Sequence, residues 1–243
     1  MTNQLVAIHQ PNFFPWLGYF DKIARCDKFI FLDHVQFQKT GGTWSNRVKL
    51  NSSGEGRWFT APINRAFHGV ARINEIEWAN DQPWREKLIK TLVTNYSRSP
   101  HFREIMGILE LLVYNSENNL ARYNAHAILE IAQGLGLSTN KFRWSSDLGI
   151  TSNSTELLID LARAIGCDTY LCGGGADGYQ QDSLFSKAGL KLVYQSFSHP
   201  IYLQRNNPEF IAGLSIIDAL MECGFCGVSS WFNRTSDGLR MRP

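Results

Sequence analysis

The segment His9-Gln10-Pro11-Asn12-Phe13-Phe14-Pro15-Trp16-Leu17-Gly18-Tyr19-Phe20-Asp21-Lys22 constrains the fold more than any other part of the chain. The apolar run at 5–9 leads into it and a second run, 28–33, follows it. Each has the uninterrupted character of a parallel strand buried on both faces. Between them Trp16, Leu17, Phe20, Ile23 and Ala24 recur at helical spacing, which predicts a helix over 16–24. Strand, helix and strand make a βαβ unit, whose crossover is right-handed. The turn into the helix holds a His, a Gln, an Asn, two prolines and several aromatics, a composition too stiff and too polar for a plain connection. Strand-to-helix junctions present free backbone N–H groups and the positive end of a helix dipole. This one is therefore expected to be a preformed ligand site, with a rigid aromatic-packed turn as the rival reading.

Downstream, 44–50, 57–63 and 73–77 read as short strands, with 51–56 as a hairpin tip. Pro83, Pro100 and Leu120 open three helices that reach Tyr96, Leu112 and Leu135. Alternation then returns. Strands are predicted at 142–145, 168–172 and 190–197, and helices at 154–165, 180–188 and 215–223. From Ser229 onward no periodicity is evident, and the end is expected to fray. The pattern predicts an α/β fold with a mostly parallel, Rossmann-like sheet. One domain over 1–232 is expected, with a helical insertion around 83–136 and a frayed tail at 233–243.

With 243 residues, 44% hydrophobic and 19% charged, the chain can bury a large core. A net charge of +2 supplies no field for nucleic acid, and no apolar stretch is long enough to span a bilayer. The first residues lack the basic and apolar regions of a signal peptide, so a cytoplasmic protein is expected. Five cysteines, an odd number, argue against a disulfide framework. Cys223-Gly224-Phe225-Cys226 has the spacing of a zinc or dithiol motif, but no second pair stands at usable spacing, so no metal site is expected.

Functional side chains collect in loops at the carboxyl ends of parallel strands. His9 ends the first strand and is followed by Gln10, Asn12, Trp16, Tyr19 and Lys22. Asp33 ends the second, ahead of His34, Gln36, Asn46 and Arg47. A carboxylate beside an imidazole fixes its tautomer and raises its basicity, as general-base catalysis requires, although an Asp33–Arg47 ion pair is equally open. Gly173, Gly174 and Tyr179 belong to a glycine-rich loop after 168–172, where the backbone can approach an anion closely. That loop is neither a P-loop nor a G-x-G-x-x-G turn. His199, just past the last strand, reads as a general base or as a histidine that satisfies a loop carbonyl.

Several stretches taken together resemble the WbqC-like family: His9-Gln10-Pro11, 15–20 with Lys22, 32–37, Trp44-Ser45-Asn46-Arg47, His199-Pro200-Ile201-Tyr202-Leu203-Gln204, and 214–218. The likeness covers nearly the whole chain. It implies a role in bacterial O-antigen or other surface-polysaccharide biosynthesis, attaching an acyl or aminoacyl group to the amine of an amino sugar. A more distant likeness, confined to the first strand, turn and helix, is to nucleotidyltransferase-like Rossmann folds. Those carry His-x-Gly-His at the turn, and here Trp16 and Tyr19 stand in place of the histidines while Gly18 is kept.

The chemistry expected on this basis is direct transfer from a thioester to a nucleotide-linked amino sugar, with no required cofactor. The donor is the phosphopantetheine of an acyl or peptidyl carrier protein, or coenzyme A. His9 or His199 accepts the proton and Asp33 orients a histidine. Gln10, Asn46 or backbone N–H groups hold the oxyanion, Lys22 and Arg47 hold phosphate, and Trp16 or Tyr19 stacks on sugar or base. Asn12, Gln36, Gly173, Gly174, Tyr179, Tyr202 and Gln204 complete the expected substrate-binding set. Two other functions fit the sequence: a nucleotidyltransferase-like enzyme with a modified motif, and a non-catalytic module that binds a glycan or sugar nucleotide.

Overall fold

The apolar runs pair as parallel strands. The structure is a computed structural model that describes residues 4–38, 43–66, 69–173, 181–205, 207 and 209–232. Its first elements are β1 (Leu5–His9), α1 (Leu17–Arg25), β2 (Lys28–Phe31), β3 (Arg47–Ser52) and β4 (Glu55–Thr60). Helices α2 (Trp84–Tyr96), α3 (Phe102–Val113) and α4 (Leu120–Gly134) follow. The chain continues through β5 (Phe142–Trp144), α5 (Ser154–Ala164), β6 (Thr169–Cys172), α6 (Asp182–Lys187), β7 (Lys191–Tyr194) and α7 (Ile216–Phe232). Five strands form one parallel sheet in the order β5-β2-β1-β6-β7, and β3 pairs with β4 as an antiparallel hairpin. This is the α/β, Rossmann-like architecture that the strand and helix periodicities predict.

Side-chain alternation along the strands sorts the core into two layers. Ala7, Phe29, Phe31 and Leu171 join α1, α2, α3, α4 and α7 in one continuous core. Val6, Ile8, Ile30, Tyr170 and Cys172 pack with α5 and α6 in the other. Strand β1 is central: the chain leaves it toward β2 on one side and later returns to β6 on the other. The carboxyl ends of β1 and β6 therefore flank the topological switch point, the crevice where open α/β sheets bind ligands.

Three local expectations are corrected. The 73–77 strand is instead a 3-10 turn at Ile73–Glu75. The Arg72 N–H donates to Glu75 Oε2 (2.8 Å) and the Asn74 N–H to the Asp33 carbonyl (2.9 Å), so these donors are already engaged and no ladder forms. The first hairpin strand starts at Arg47 rather than residue 44, and Ser53 and Gly54 close the hairpin with positive φ at both positions. The last helical stretch breaks after Cys223, where it is expected to end, at the non-helical Gly224 (φ 67°, ψ 173°), but a second helical segment follows and runs to Phe232, past the expected fraying from Ser229. A Cβ at that glycine would meet His101 Nδ1 at 2.6 Å, so the start of α3 can dock there only on a glycine. The glycine-rich loop beyond Gly173 and the tail from 233 lie outside the described residues. No described helix is long and apolar enough to cross a membrane.

Trp16 precedes α1 and lays its indole on the first turn, where a Cβ at Gly18 would come within 2.2 Å of the ring. Gly107, on the exposed side of α3, faces open space. Gly18→Ala is expected to destabilise the fold by about 1–3 kcal/mol through overpacking. Gly107→Ala is expected to stabilise it by up to about 1 kcal/mol through helix propensity. Urea unfolding midpoints of the two variants check the contrast.

Candidate functional site

The turn between β1 and α1 has no ladder of its own, so its carbonyls are satisfied from outside. Asn124, fully buried on α4, donates through Nδ2 to the carbonyls of Pro11 (2.9 Å) and Ser45 (2.7 Å). The Phe13 N–H donates to the Trp44 carbonyl (2.8 Å), Ser215 Oγ to the Phe14 carbonyl (2.7 Å), and the Ile216 N–H to the Pro15 carbonyl (2.9 Å). Helix α4, the approach to the hairpin and the start of α7 thus hold the turn from three directions. Phe14 is held at φ 42°, a left-handed conformation that costs a non-glycine residue roughly 1–2 kcal/mol. Strain of this kind persists only where the surroundings over-determine it.

At the switch point His9, Lys22 and Gly173 come together. His9 Nδ1 lies 3.1 Å from the Gln10 carbonyl, which can only accept, so Nδ1 carries the proton and Nε2 keeps its lone pair. Buried Tyr19 donates its hydroxyl to the same carbonyl (3.1 Å) and packs edge-on against the His9 ring at 4.7 Å. Burial, and next the positive charge of Lys22, push His9 down to about 3, so the imidazole is neutral at physiological pH. Lys22 is only 5% exposed, and burial pulls its ammonium down to about 8. It is still charged at pH 7. Its Nζ would stand 3.0 Å from a Cβ on Gly173, so the glycine is what lets the ammonium reach the end of β6. Among the described residues Lys22 has no ion-pair partner. An unpaired buried charge is costly, and a perturbed titratable group in a crevice is the usual mark of a site.

The other expected residues divide. Gln10 and buried Asn12 share the turn with His9. Asp33 does not orient either histidine. It is 3% exposed and accepts from Ser145 Oγ (2.9 Å), the Ser146 N–H (3.0 Å), Ser146 Oγ (2.7 Å) and Asn74 Nδ2 (3.2 Å). Its lone pairs are taken up in tethering two loops, and it forms no ion pair with Arg47. Asn46 gives Nδ2 to the Ala61 carbonyl (2.9 Å) and so serves local structure, while Gln36 is exposed and pairs with Arg72 through its backbone. Arg47 lies on the hairpin with its guanidinium 4.0 Å above the Trp58 ring. His199 packs against Trp16 (5.2 Å) and Phe197 (5.0 Å), burial lowers its pKa, and no described bond joins it to His9. Gly174 and Tyr179 lie outside the described residues.

Tyr202 and Gln204 are drawn to a group that sequence reasoning missed. Tyr202 donates its hydroxyl to Asp218 Oδ2 (2.7 Å), Gln204 Nε2 reaches the same oxygen (3.3 Å), and Tyr96 donates to Oδ1 (3.1 Å). Burial pushes Asp218 up to about 6 against these bonds. An aspartate inside the apolar helical stretch 214–221 was the signal, because a carboxylate there must find buried donors. Among the described residues no cluster of His, Cys, Asp and Glu is set to hold a metal ion.

A family model described as the WbqC-like protein family matches residues 10–229. The chain belongs to that family. The uncharacterized protein Rv1507c of Mycobacterium tuberculosis is similar to this WbqC-like chain, with 30% identity over 225 residues that cover 90% of this chain and 94% of that one. No solved structure matches. The span matched as WbqC-like begins one residue after His9 and takes in Gln10, Lys22 and Gly173.

Lys22→Met is expected to raise stability at pH 7 by up to about 3 kcal/mol, because an ammonium whose pKa falls from 10.5 to about 8 on folding opposes folding. The same change removes a positive charge from beside His9, whose pKa is expected to rise from about 3 toward its ordinary range. Denaturant unfolding and NMR titration of the His9 ring check both shifts.

Proposed function

We propose that the protein is a transferase that moves an acyl or aminoacyl group from a thioester to the amine of a nucleotide-linked amino sugar. The observation that carries this reading is the buried ammonium of Lys22, which has no ion-pair partner among the described residues and is set against Gly173 at the switch point beside the neutral imidazole of His9. The surface-polysaccharide setting follows from what membership in the WbqC-like family implies.

In this reading Lys22 and Gly173 at the end of β6 hold the diphosphate of the sugar nucleotide. The sugar amine attacks the thioester carbonyl carbon. A C–N bond forms, the C–S bond breaks, and the thiolate leaves. The proton released by the amine passes to His9 Nε2 and on to the thiolate. Gln10 and Asn12, held on the strained turn, face no competing described hydrogen bond and supply donors for the oxyanion. A histidine held near 3 is a weak base, but a bound diphosphate cancels the Lys22 charge and lifts one of its two depressing causes. Substrate binding thereby strengthens the base that acts on it. Trp16 and Tyr19 do not take the phosphate-binding part of the nucleotidyltransferase histidines, since one covers Gly18 and the other is committed to the Gln10 carbonyl.

The deciding experiment follows labelled acyl transfer from carrier-bound phosphopantetheine to a uridine-diphosphate amino sugar. His9→Ala is expected to stay folded and to lose turnover by roughly a hundredfold or more. Since kcat/KM reports the free enzyme, it is expected to fall above about pH 8 as Lys22 deprotonates. It is expected to show no loss from His9 near pH 6.5, where the imidazole is already neutral, so a fall on the acid side tracks protonation of the substrate amine alone. Full turnover in His9→Ala would overturn the mechanism. Thermal stabilisation by the sugar nucleotide that survives in Lys22→Met would overturn the anion site.

A further inference from the structure

The hairpin β3–β4 carries a second constellation, on a face that the switch-point chemistry does not use. Trp44 and Trp58 are 38% and 40% exposed, with rings 4.8 Å apart and nearly perpendicular. Arg47 is stacked over Trp58 at 4.0 Å, forms no ion pair with a described residue, and has a buried Nε with no hydrogen-bond partner. Lys49 stands opposite Trp58 across the ladder. Its side chain runs over Gly56, where a Cβ would meet Lys49 Cε at 2.4 Å. Strand alternation groups Arg47 and Lys49 with Trp58, and turns Glu55 and its partner Arg57 (3.0 Å) to the opposite face. The result is a solvent-facing pair of indoles beside two cations, with no acid on the same face of the ladder.

Exposed indoles of this size are unusual in a chain that buries Trp78 and Trp84 completely, and on a hairpin outside the main sheet they invite association. The guanidinium packs over the Trp58 ring at 4.0 Å, and its planar fork is suited to a planar anion. We infer that this face is a carbohydrate platform for an acidic sugar, a pyranose that carries a carboxylate. The ring C–H bonds of a pyranose lie against an indole face. An equatorial carboxylate lies near the mean plane of its ring, so it meets the edge of the neighbouring guanidinium as a bidentate pair. Lys49 adds a second, more mobile cation at the margin. The platform needs neither Lys22 nor His9, and its occupant is a uronate residue of a glycan rather than the diphosphate assigned to the switch point.

The test is a tryptophan-fluorescence and saturation-transfer NMR titration. Its probes are a tetrasaccharide of alternating glucuronate and N-acetylglucosamine and the same sugar with its carboxylates reduced to alcohols. The acidic probe is expected to bind about tenfold or more tightly than the reduced one, and Trp44→Ala and Trp58→Ala each to weaken it about tenfold or more. Arg47→Gln is expected to bring the two probes to equal affinity. Lys22→Met is expected to leave both affinities unchanged, which separates the platform from the transferase reading. Circular dichroism confirms that each variant is folded. Equal affinity of the unaltered protein for the two probes, no binding of either, or undiminished binding by Trp58→Ala would overturn the inference.

Discussion

Two carbonyls that no helix or strand can satisfy, those of Pro11 and Ser45, converge on one buried amide, Asn124 Nδ2. The rest of the site depends on that convergence. A polar turn drawn into the interior unfolds its own neighbourhood unless each backbone oxygen is met, and an unmet one costs about 1–3 kcal/mol. Because α4 supplies the donor, the aromatic turn can lie flat under the inserted helices, with Phe13 and Phe14 fully buried. With the turn fixed, α1 starts where Trp16 can cover Gly18 and where Lys22, further along the helix, comes up against the end of β6. The helical insertion is thus joined to the sheet by chemistry as well as by packing.

The second constraint is charge. Lys22 and His9 share one desolvated corner, and each suffers from it in its own way: the lysine keeps its proton at a cost, and the histidine gives its proton up. Neither group has a carboxylate partner among the described residues. Elsewhere the chain handles buried charge differently. Asp33 receives four donors from two loops, and Asp218 receives three from Tyr96, Tyr202 and Gln204. Among the described residues, the contrast singles out the switch point as the place where a buried charge has no carboxylate partner.

The sequence made the sheet legible where a local pattern is enough. The runs at 5–9, 28–33 and 168–172 and the helical stripe after Trp16 all stand where periodicity places them. It misled where the outcome depends on distant partners. Residues 73–77 have β-like composition, but Asp33 and Glu75 take the backbone donors a ladder would need. Asp33 sits at a strand end beside a histidine, which reads as a catalytic pair. The serines that engage it come from residues 145 and 146, more than a hundred positions away. His9 and Lys22 were both legible as candidates, being close in sequence across one βαβ turn. Their mutual electrostatic effect was not, because it arises from burial that only the packed helices impose. Trp44 and Trp58 belong to different segments, and only the hairpin register brings them together.

The cost of burying the Lys22 ammonium also has a consequence for the life of the protein in the cell. A fold that holds an ammonium at a pKa of about 8 is weaker for it, and any anion that binds the folded chain alone offsets part of that cost. Chaperones and proteases sample the unfolded fraction, and a shift of about 1–2 kcal/mol is enough to change abundance several-fold. On the reading in which Lys22 holds a diphosphate, the standing level of the protein would follow the supply of that ligand.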